Sequence, residues 1–409
     1  MIAKRPRTRA KTKPAELEGY RLGSLAPAQV VEPRDEAELA ALLRDAQDAG
    51  QSVVVHGGGT LQRASNAPLR YDVAIVTRRL DALHEYDPRD LTAGAGAGMT
   101  VAALQRALAE HRQFLPLDVP LAARATIGGT LAAGWAGPRR AAYGRPRDLL
   151  IGITAALADG TLAHSGGMVV KNVTGYDMGK LYVGSHGTLG AIARANFKIL
   201  PAPAARRLAI APLDDELRAS AIAHALALPL EPVALLVVDG FREAPPPARS
   251  RLIALLEGSA HVVDRATRDL RSALGAAGVP ETRLLDGDDA ARAFQSLLDA
   301  YVALDGDASV TLIARGLPSD AAARALSVRA AIPHAETIAD ARTGDVVVRA
   351  RDGAAVREQL GHAVVLSAGA ATSLDAWGAP PPALATMRAL KERFDPRGTL
   401  APGRFLGGI

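Results

Sequence analysis

With 409 residues, 48% hydrophobic and 22% charged, the chain has the composition of a globular protein with room for two or three domains, not of a disordered or fibrous one. It contains no Cys, which excludes disulfides, thiolate metal sites, protein-bound iron–sulfur clusters and cysteinyl cofactor links, so redox work would need a borrowed cofactor. The net charge of +5 is modest, and Lys4, Arg5, Arg7, Arg9, Lys11 and Lys13 all precede the first acid, Glu16. Residues 1–24 read as a solvated, disordered basic tail rather than a nucleic-acid arm. No apolar stretch follows this tail as in a signal peptide, and the longest aliphatic run, Val233 to Val238, is far too short to span a bilayer. The expected location is cytoplasmic, with peripheral association at the inner face of the cell membrane left open.

After the tail, PRDEAELAALLRDAQDAG predicts a helix: Asp35 caps it, Glu38 completes a capping box, Leu39, Leu42, Leu43 and Ala46 share a face, and Gly50 ends it. SVVVH then predicts a buried strand running straight into Gly57, Gly58, Gly59 and Thr60. Strands follow at Val73 to Val76 and near LTAGAG, and Thr100 caps a helix with Val101, Leu104 and Leu108 in one stripe. LLIGITAALADGTLAHSG holds two apolar runs joined by Asp159-Gly160, a hairpin signal. AIARANFKI alternates in the manner of a half-exposed strand, and Pro201 and Pro203 punctuate the chain after it. Strand-like and helix-like pieces then alternate to about residue 370, predicting a second α+β unit. The chain closes with a helix stopped at Asp395-Pro396 and a Gly/Pro-rich segment.

Glycine is concentrated at Gly57 to Gly59, Gly94 to Gly98, Gly128-Gly129 and along Gly166 to Ile192. Glycine costs the most backbone entropy to fix, so such density asks for positive φ or a close backbone approach. No GxxxxGK[ST] loop occurs, and the third glycine of a GxGxxG fingerprint would fall on Met99. Taken alone, Gly57 to Gly59 fits a tight turn as well as a ligand contact. Dense glycine in separate places favours one shared dinucleotide.

HGGGT, LPLDVP, ATIGGTLAAGWAG, AAYGRPRDLL, LADG, KNVTGYDMGKLYVGSHGTLGAI and DPRGTLAPGR, in this order, resemble the vanillyl-alcohol-oxidase, or PCMH-type, FAD-binding family, and within it the FAD-binding subunits of glycolate oxidase. The likeness is dense from Ala28 to Pro203 and returns over the last 20 or so residues. It implies an α+β fold: a PCMH-type FAD-binding domain of two subdomains over 25–203, an α+β cap domain with antiparallel sheet over 204–375, and a C-terminal segment, 376–409, returning to the FAD domain. Carried over residue by residue, it implies that Gly57, Gly58, Gly59 and Thr60 cradle the pyrophosphate. Pro116 and Val119 would flank the cofactor, and Thr126, Ile127, Gly128 and Gly129 would form a second loop. Gly134, Tyr143 and Gly144 would lie along the flavin, and Gly190 and Ile192 at the adenosine end. Lys171, Asn172, Tyr176 and Asp177 are expected to anchor loops.

The departures from the family bear on mechanism. Thr60 stands where some relatives carry a flavin-linking His, so the FAD is expected to be noncovalent. Gly134 and Ala401 each replace an Asn, and the His-rich metal motif of hydroxyacid-oxidising relatives is missing, His261, His334 and His362 standing alone. No metal site and no general base are therefore read from the sequence. The leading expectation is an electron-relay or assembly subunit of a D-2-hydroxyacid (glycolate) oxidase, with a catalytic flavin subunit and an iron–sulfur subunit as partners. The alternatives are a self-sufficient FAD-dependent dehydrogenase, with Arg315, Arg349 and Arg404 as candidate carboxylate partners, and a non-redox interaction subunit on a flavin fold.

Overall fold

The structure, a computed structural model, describes residues 17–168, 176–241, 250–279 and 281–409. Asp35 starts the first long helix, Glu36–Asp48: its carboxylate accepts the N–H of Glu38 at 2.7 Å, and the Glu38 carboxylate accepts the N–H of Arg34 at 2.9 Å. The buried stripe of this helix, Leu39, Leu42, Leu43 and Ala46, packs with Val53, Val73 and Ile75. Those three belong to a parallel sheet whose central strand, Val73–Val76, lies between Gln29–Val31 and Val53–His56. A parallel sheet presents its ligand loops at the carboxyl ends of its strands, and there the glycines 57–59 leave Val53–His56.

A second, five-stranded sheet is antiparallel throughout, in the order Leu83–Asp87, Thr92–Gly96, Ala191–Lys198, Leu150–Ala156, Leu162–Gly166. The Asp159-Gly160 hairpin joins its last two strands, with Gly160 at φ 82°. In Ala191–Lys198 the side chains of Arg194, Asn196 and Lys198 are half-buried while their neighbours are buried, as the alternation predicts.

From Ala205 to Ala368 the strands form one eight-stranded antiparallel sheet. Alternate residues of the same strand serve two cores. Ala209 and Ala211 pack with the helices Asp215–Leu226, Ala260–Ala276 and Ala321–Ala331, whereas Leu208 and Ile210 join a core with the helix Gly287–Ala300 and the five-stranded sheet. The period of two thus binds this sheet to the glycine-rich half. After the helix Leu384–Phe394 the chain returns to the first sheet, where Val53 N donates to Thr399 O at 2.7 Å and Ala401 N to Val53 O at 2.8 Å.

One expectation changes. Residues 17–24 are ordered: Leu22 is buried with Val54, Tyr71 and Ala74, so the disordered reading of 1–24 fails over its last residues, while 1–16 lie outside the described residues. Gly94 to Gly98 is no phosphate loop. Gly94 and Gly96 sit inside a strand, and a Cβ on Gly96 or Gly98 would strike the carbonyls of Leu80 and Thr77. The strand Glu336–Asp340 and the helix Gly287–Ala300 were not read from the sequence.

Candidate functional site

The loop after His56 forms one wall of a cleft of about 740 Å³, counting its open mouth. Gly57, Gly58, Gly59 and Thr60 line it, facing Thr126, Gly128, Gly129, Gly190 and Ile192. Thr126 caps the helix Ile127–Ala133, its Oγ1 accepting the N–H of Gly129 at 3.2 Å. Gly58 is glycine because of a close approach: a Cβ there would overlap the carbonyl of Arg124 in the second loop. Gly59 differs, with φ 71° and open space where a Cβ would stand. The N–H groups of Gly58, Gly59 and Thr60 meet no acceptor among the described residues.

Arg404 closes the same cleft. It is only 3% exposed and lines the wall, yet its guanidinium bonds only neutral acceptors: Asn66 O at 3.1 Å, Gln62 O at 2.9 Å and Gln62 Oε1 at 2.8 Å. Burial pushes its pKa down to about 10, and no carboxylate among the described residues pairs with it. A buried cation without a counter-ion is costly. Free N–H groups beside an unpaired guanidinium fit a dinucleotide pyrophosphate, which brings the missing acceptors and charge.

Gln62 passes this arrangement on to His56. With Oε1 taken by Arg404, its amide nitrogen donates to Val55 O at 3.1 Å and to His56 Nδ1 at 3.2 Å, which leaves His56 Nε2–H to donate to the Tyr71 hydroxyl at 2.6 Å. Both ring nitrogens are used, so His56 is a packed core histidine. Burial, reinforced by Arg404, pushes its pKa down to about 3.

A second cleft, about 1190 Å³ with its mouth, lies between the glycine-rich half and the eight-stranded sheet. Leu61, Ala133 and His186 line both clefts, and His186 is the polar side chain of the three. His186 Nδ1 shares a hydrogen bond of 2.8 Å with Ser65 Oγ, and its ring stacks on Phe405 and meets Trp377 edge-on. Burial, with Arg404 adding, pushes its pKa down to about 3. Gly134, which ends the helix Ile127–Ala133 at φ 62°, lines the inner cleft against Gly184. The inner cleft also carries Arg140, Arg145, Arg147 and Arg315 against one carboxylate, Asp345. Arg140 Nη2 pairs with Asp345 Oδ2 at 2.8 Å.

Other expected site residues lie away from both clefts. Pro116 and Val119 are buried, and the Val119 carbonyl accepts from Gln295 of the helix Gly287–Ala300 at 3.0 Å, so this stretch joins the two halves. The Ile127 side chain is wholly in the core. Tyr143 donates to Glu257 Oε2 at 2.8 Å, and Gly144 at φ 88° ends the short helix Arg140–Tyr143. Arg349 bonds Glu336 and covers the Phe241 ring, outside both clefts. Lys171 and Asn172 lie outside the described residues; the Tyr176 side chain is 91% exposed and anchors nothing, while Asp177 pairs with Lys180 at 3.2 Å. Among the described residues no cluster of three His, Asp or Glu side chains could hold a metal, and no helix is long and apolar enough to cross a membrane. Of the arginines named from sequence as candidate carboxylate partners, Arg404 lines the first cleft and Arg315 the second; Asp345 was missed, since in sequence it looks like any turn aspartate.

Residues 27–166 match the FAD binding domain family. Among curated proteins, the chain is 28% identical over 240 residues to glycolate oxidase subunit GlcD of Bacillus subtilis (strain 168), covering 56% of this chain and 51% of that protein. It is 34% identical over 172 residues to D-lactate dehydrogenase of Archaeoglobus fulgidus, covering 42% and 38%, and 40% identical over 121 residues to glycolate oxidase subunit GlcE of Escherichia coli (strain K12), covering 29% and 35%. The matches thus span about half the length of these relatives or less. Among solved structures, p-cresol methylhydroxylase with substrate bound superposes with a TM-score of 0.76 at 16% identity, covering 96% of this chain and 93% of that one. Alkyldihydroxyacetonephosphate synthase gives 0.69 at 18%, covering 92% and 76%. The chain has the fold of p-cresol methylhydroxylase, and within it residues 27–166 carry the match to the FAD binding domain family.

Proposed function

We propose that this chain is an FAD-dependent oxidoreductase acting on small 2-hydroxy acids. The observation that carries this reading is the pairing of two neighbouring clefts: a cradle with unpaired N–H groups and an unpaired Arg404 shares Leu61, Ala133 and His186 with a chamber lined by four guanidiniums and one carboxylate. Bound FAD would supply the two-electron oxidation, accepting a hydride from the hydroxyl-bearing carbon. The chain's residues do the rest. The N–H groups of Gly58, Gly59 and Thr60 and the Arg404 guanidinium bind the pyrophosphate. Arg315, with Arg145 and Arg147, attracts and orients a carboxylate at the chamber mouth. Trp135, Trp377 and Phe405 supply apolar walls that limit water. FAD is held noncovalently, since Thr60 cannot form a histidyl link and His56 is committed to Gln62 and Tyr71.

Likeness to GlcD and to GlcE supports a place in a multi-subunit oxidase of the glycolate oxidase kind, with a catalytic flavin subunit and an iron–sulfur subunit as partners. The arginine-lined chamber favours acid binding by this chain itself over a purely relaying role. The test is anaerobic mixing of the purified, FAD-loaded chain with glycolate, D-lactate or D-2-hydroxyglutarate. Bleaching of the flavin band by one of them is expected. A chain that takes up no FAD overturns the reading.

A further inference from the structure

The chamber contains a buried acceptor that none of the described residues satisfies. Asp345 follows the turn between the strands Glu336–Asp340 and Val346–Ala350 and is 5% exposed. Its Oδ2 is held by Arg140 at 2.8 Å, whereas its Oδ1, equally buried, has no hydrogen bond. Leaving a buried carboxylate oxygen unpaired costs more than the average hydrogen bond contributes, so the site is built for a donor brought from outside. Asp345 and Arg315 line the same chamber, with Arg140, Arg145 and Arg147 beside them. A ligand that brings a carboxylate to Arg315 and a hydroxyl to Asp345 is a hydroxy acid.

We propose that Asp345 is a catalytic residue of this chamber, the group that accepts the hydroxyl proton of the 2-hydroxy acid. The O–H bond breaks with its proton passing to the Asp345 carboxylate, giving a neutral carboxyl. The C–H bond on the same carbon breaks with its electron pair leaving as hydride to the oxidised flavin, and the carbon–oxygen bond becomes the carbonyl of a 2-oxo acid. The substrate loses two electrons and the flavin gains them. Arg140 is the positioning residue, fixing the carboxylate through Oδ2. The setting suits a proton acceptor. Burial pushes the Asp345 carboxyl up from the ordinary range, with Arg140 and Arg315 opposing, and a base works best when its pKa approaches the working pH. Tyr301, Asp340, Arg145 and His186 are the other titratable groups packed about the chamber.

This inference rests on the reading of the two clefts given above, and the experiment separates the two. Asp345→Asn keeps the shape and loses the basicity. In the FAD-loaded chain it should slow bleaching by whichever of glycolate, D-lactate and D-2-hydroxyglutarate reduces the wild type, by about 100-fold or more. Asp345→Glu should recover part of that loss. A readout free of turnover uses oxalate, which cannot be oxidised: it should perturb the flavin spectrum and bind wild type more tightly as pH falls and Asp345 takes up its proton. Asp345→Asn should bind oxalate with no such rise. Equal bleaching rates, or equal oxalate profiles, overturn the inference. Wild-type flavin that none of the three acids bleaches overturns it too, and if oxalate still perturbs that flavin, the acid-binding reading survives without the proton transfer.

Discussion

Gly58 and Gly59 are neighbours that serve the cradle for opposite reasons, and substitution should tell them apart. A Cβ on Gly58 points at the Arg124 carbonyl, away from the cleft, so Gly58→Val should push the two loops apart. Overpacking of this kind costs about 1–3 kcal/mol, and FAD should be lost together with stability. Gly59→Ala meets open space but must hold φ 71°, at a cost of about 1–2 kcal/mol, and its methyl intrudes only on the bound cofactor. Thermal melts with FAD titrations should therefore show Gly58→Val failing in both and Gly59→Ala losing affinity with a smaller drop in Tm. His56 makes a second residue-scale prediction. Its folded pKa, about 3, lies below the ordinary 6.5, so its contribution is complete above pH 6.5 and lost as pH falls toward 3, because the unfolded chain takes up the proton first. By pH 5 the loss is about 2 kcal/mol. Protonation would also set Nδ1–H against the donating amide of Gln62. Denaturant midpoints from pH 7.5 to 5 should fall in wild type and fall less in His56→Gln.

Between elements, a buried ion network fastens the eight-stranded sheet to the FAD-binding half. Arg139 donates to Asp118 at 2.6 Å and to Glu257 at 3.1 Å, and Glu257 also receives Tyr143 at 2.8 Å and Arg206 at 2.5 Å. Burial pushes the Glu257 carboxyl up, but Arg139 and Arg206 outweigh it and hold it below the usual range. Glu257→Ala leaves the buried Arg139 with Asp118 alone, and should cost about 3 kcal/mol. Because Arg139 is followed directly by Arg140 of the chamber, the variant should also weaken oxalate binding, while FAD binding at the Gly58 loop holds. This joint explains which parts of the site were legible beforehand. The glycine loops are local in sequence, so Gly57 to Thr60, Thr126, Gly128 and Gly129 were placed on the cleft by motif alone. What the sequence could not show is that Tyr143 and Val119 also bond Glu257 and Gln295, partners from the other half of the fold more than 100 residues away. Strands with strict alternation, such as Ala191–Lys198, were readable for the same local reason. The helix Gly287–Ala300 was not, although its buried stripe is regular, because it starts on a glycine with no side-chain cap to mark the boundary.

At the scale of the whole molecule, the question is where electrons go after the chamber has done its work. The chain has no Cys to hold an iron–sulfur cluster, and among the described residues no group of three His, Asp or Glu side chains could hold a metal. A flavin reduced here must therefore be reoxidised by a small acceptor or by another protein. From sequence alone, the lack of a clustered base leads to the expectation that the isolated chain would leave glycolate and D-lactate unreacted. Asp345 and the arginines of the chamber point the other way for the first half-reaction, while the proposed place in a multi-subunit oxidase assigns the second half to a partner. The two halves are separable in time. Stopped-flow mixing of the FAD-loaded chain with a reactive acid should show one flavin equivalent bleached in a single phase. Steady turnover should then stall, and resume when an electron-accepting partner subunit or a soluble dye is added. Acid precipitation of the same preparation should release the flavin into the supernatant, because Thr60 offers no linkage and both nitrogens of His56 are occupied. Colour kept in the washed pellet would assign a covalent link, and the ring nitrogen to examine first is Nε2 of His186, the polar side chain that lines both clefts.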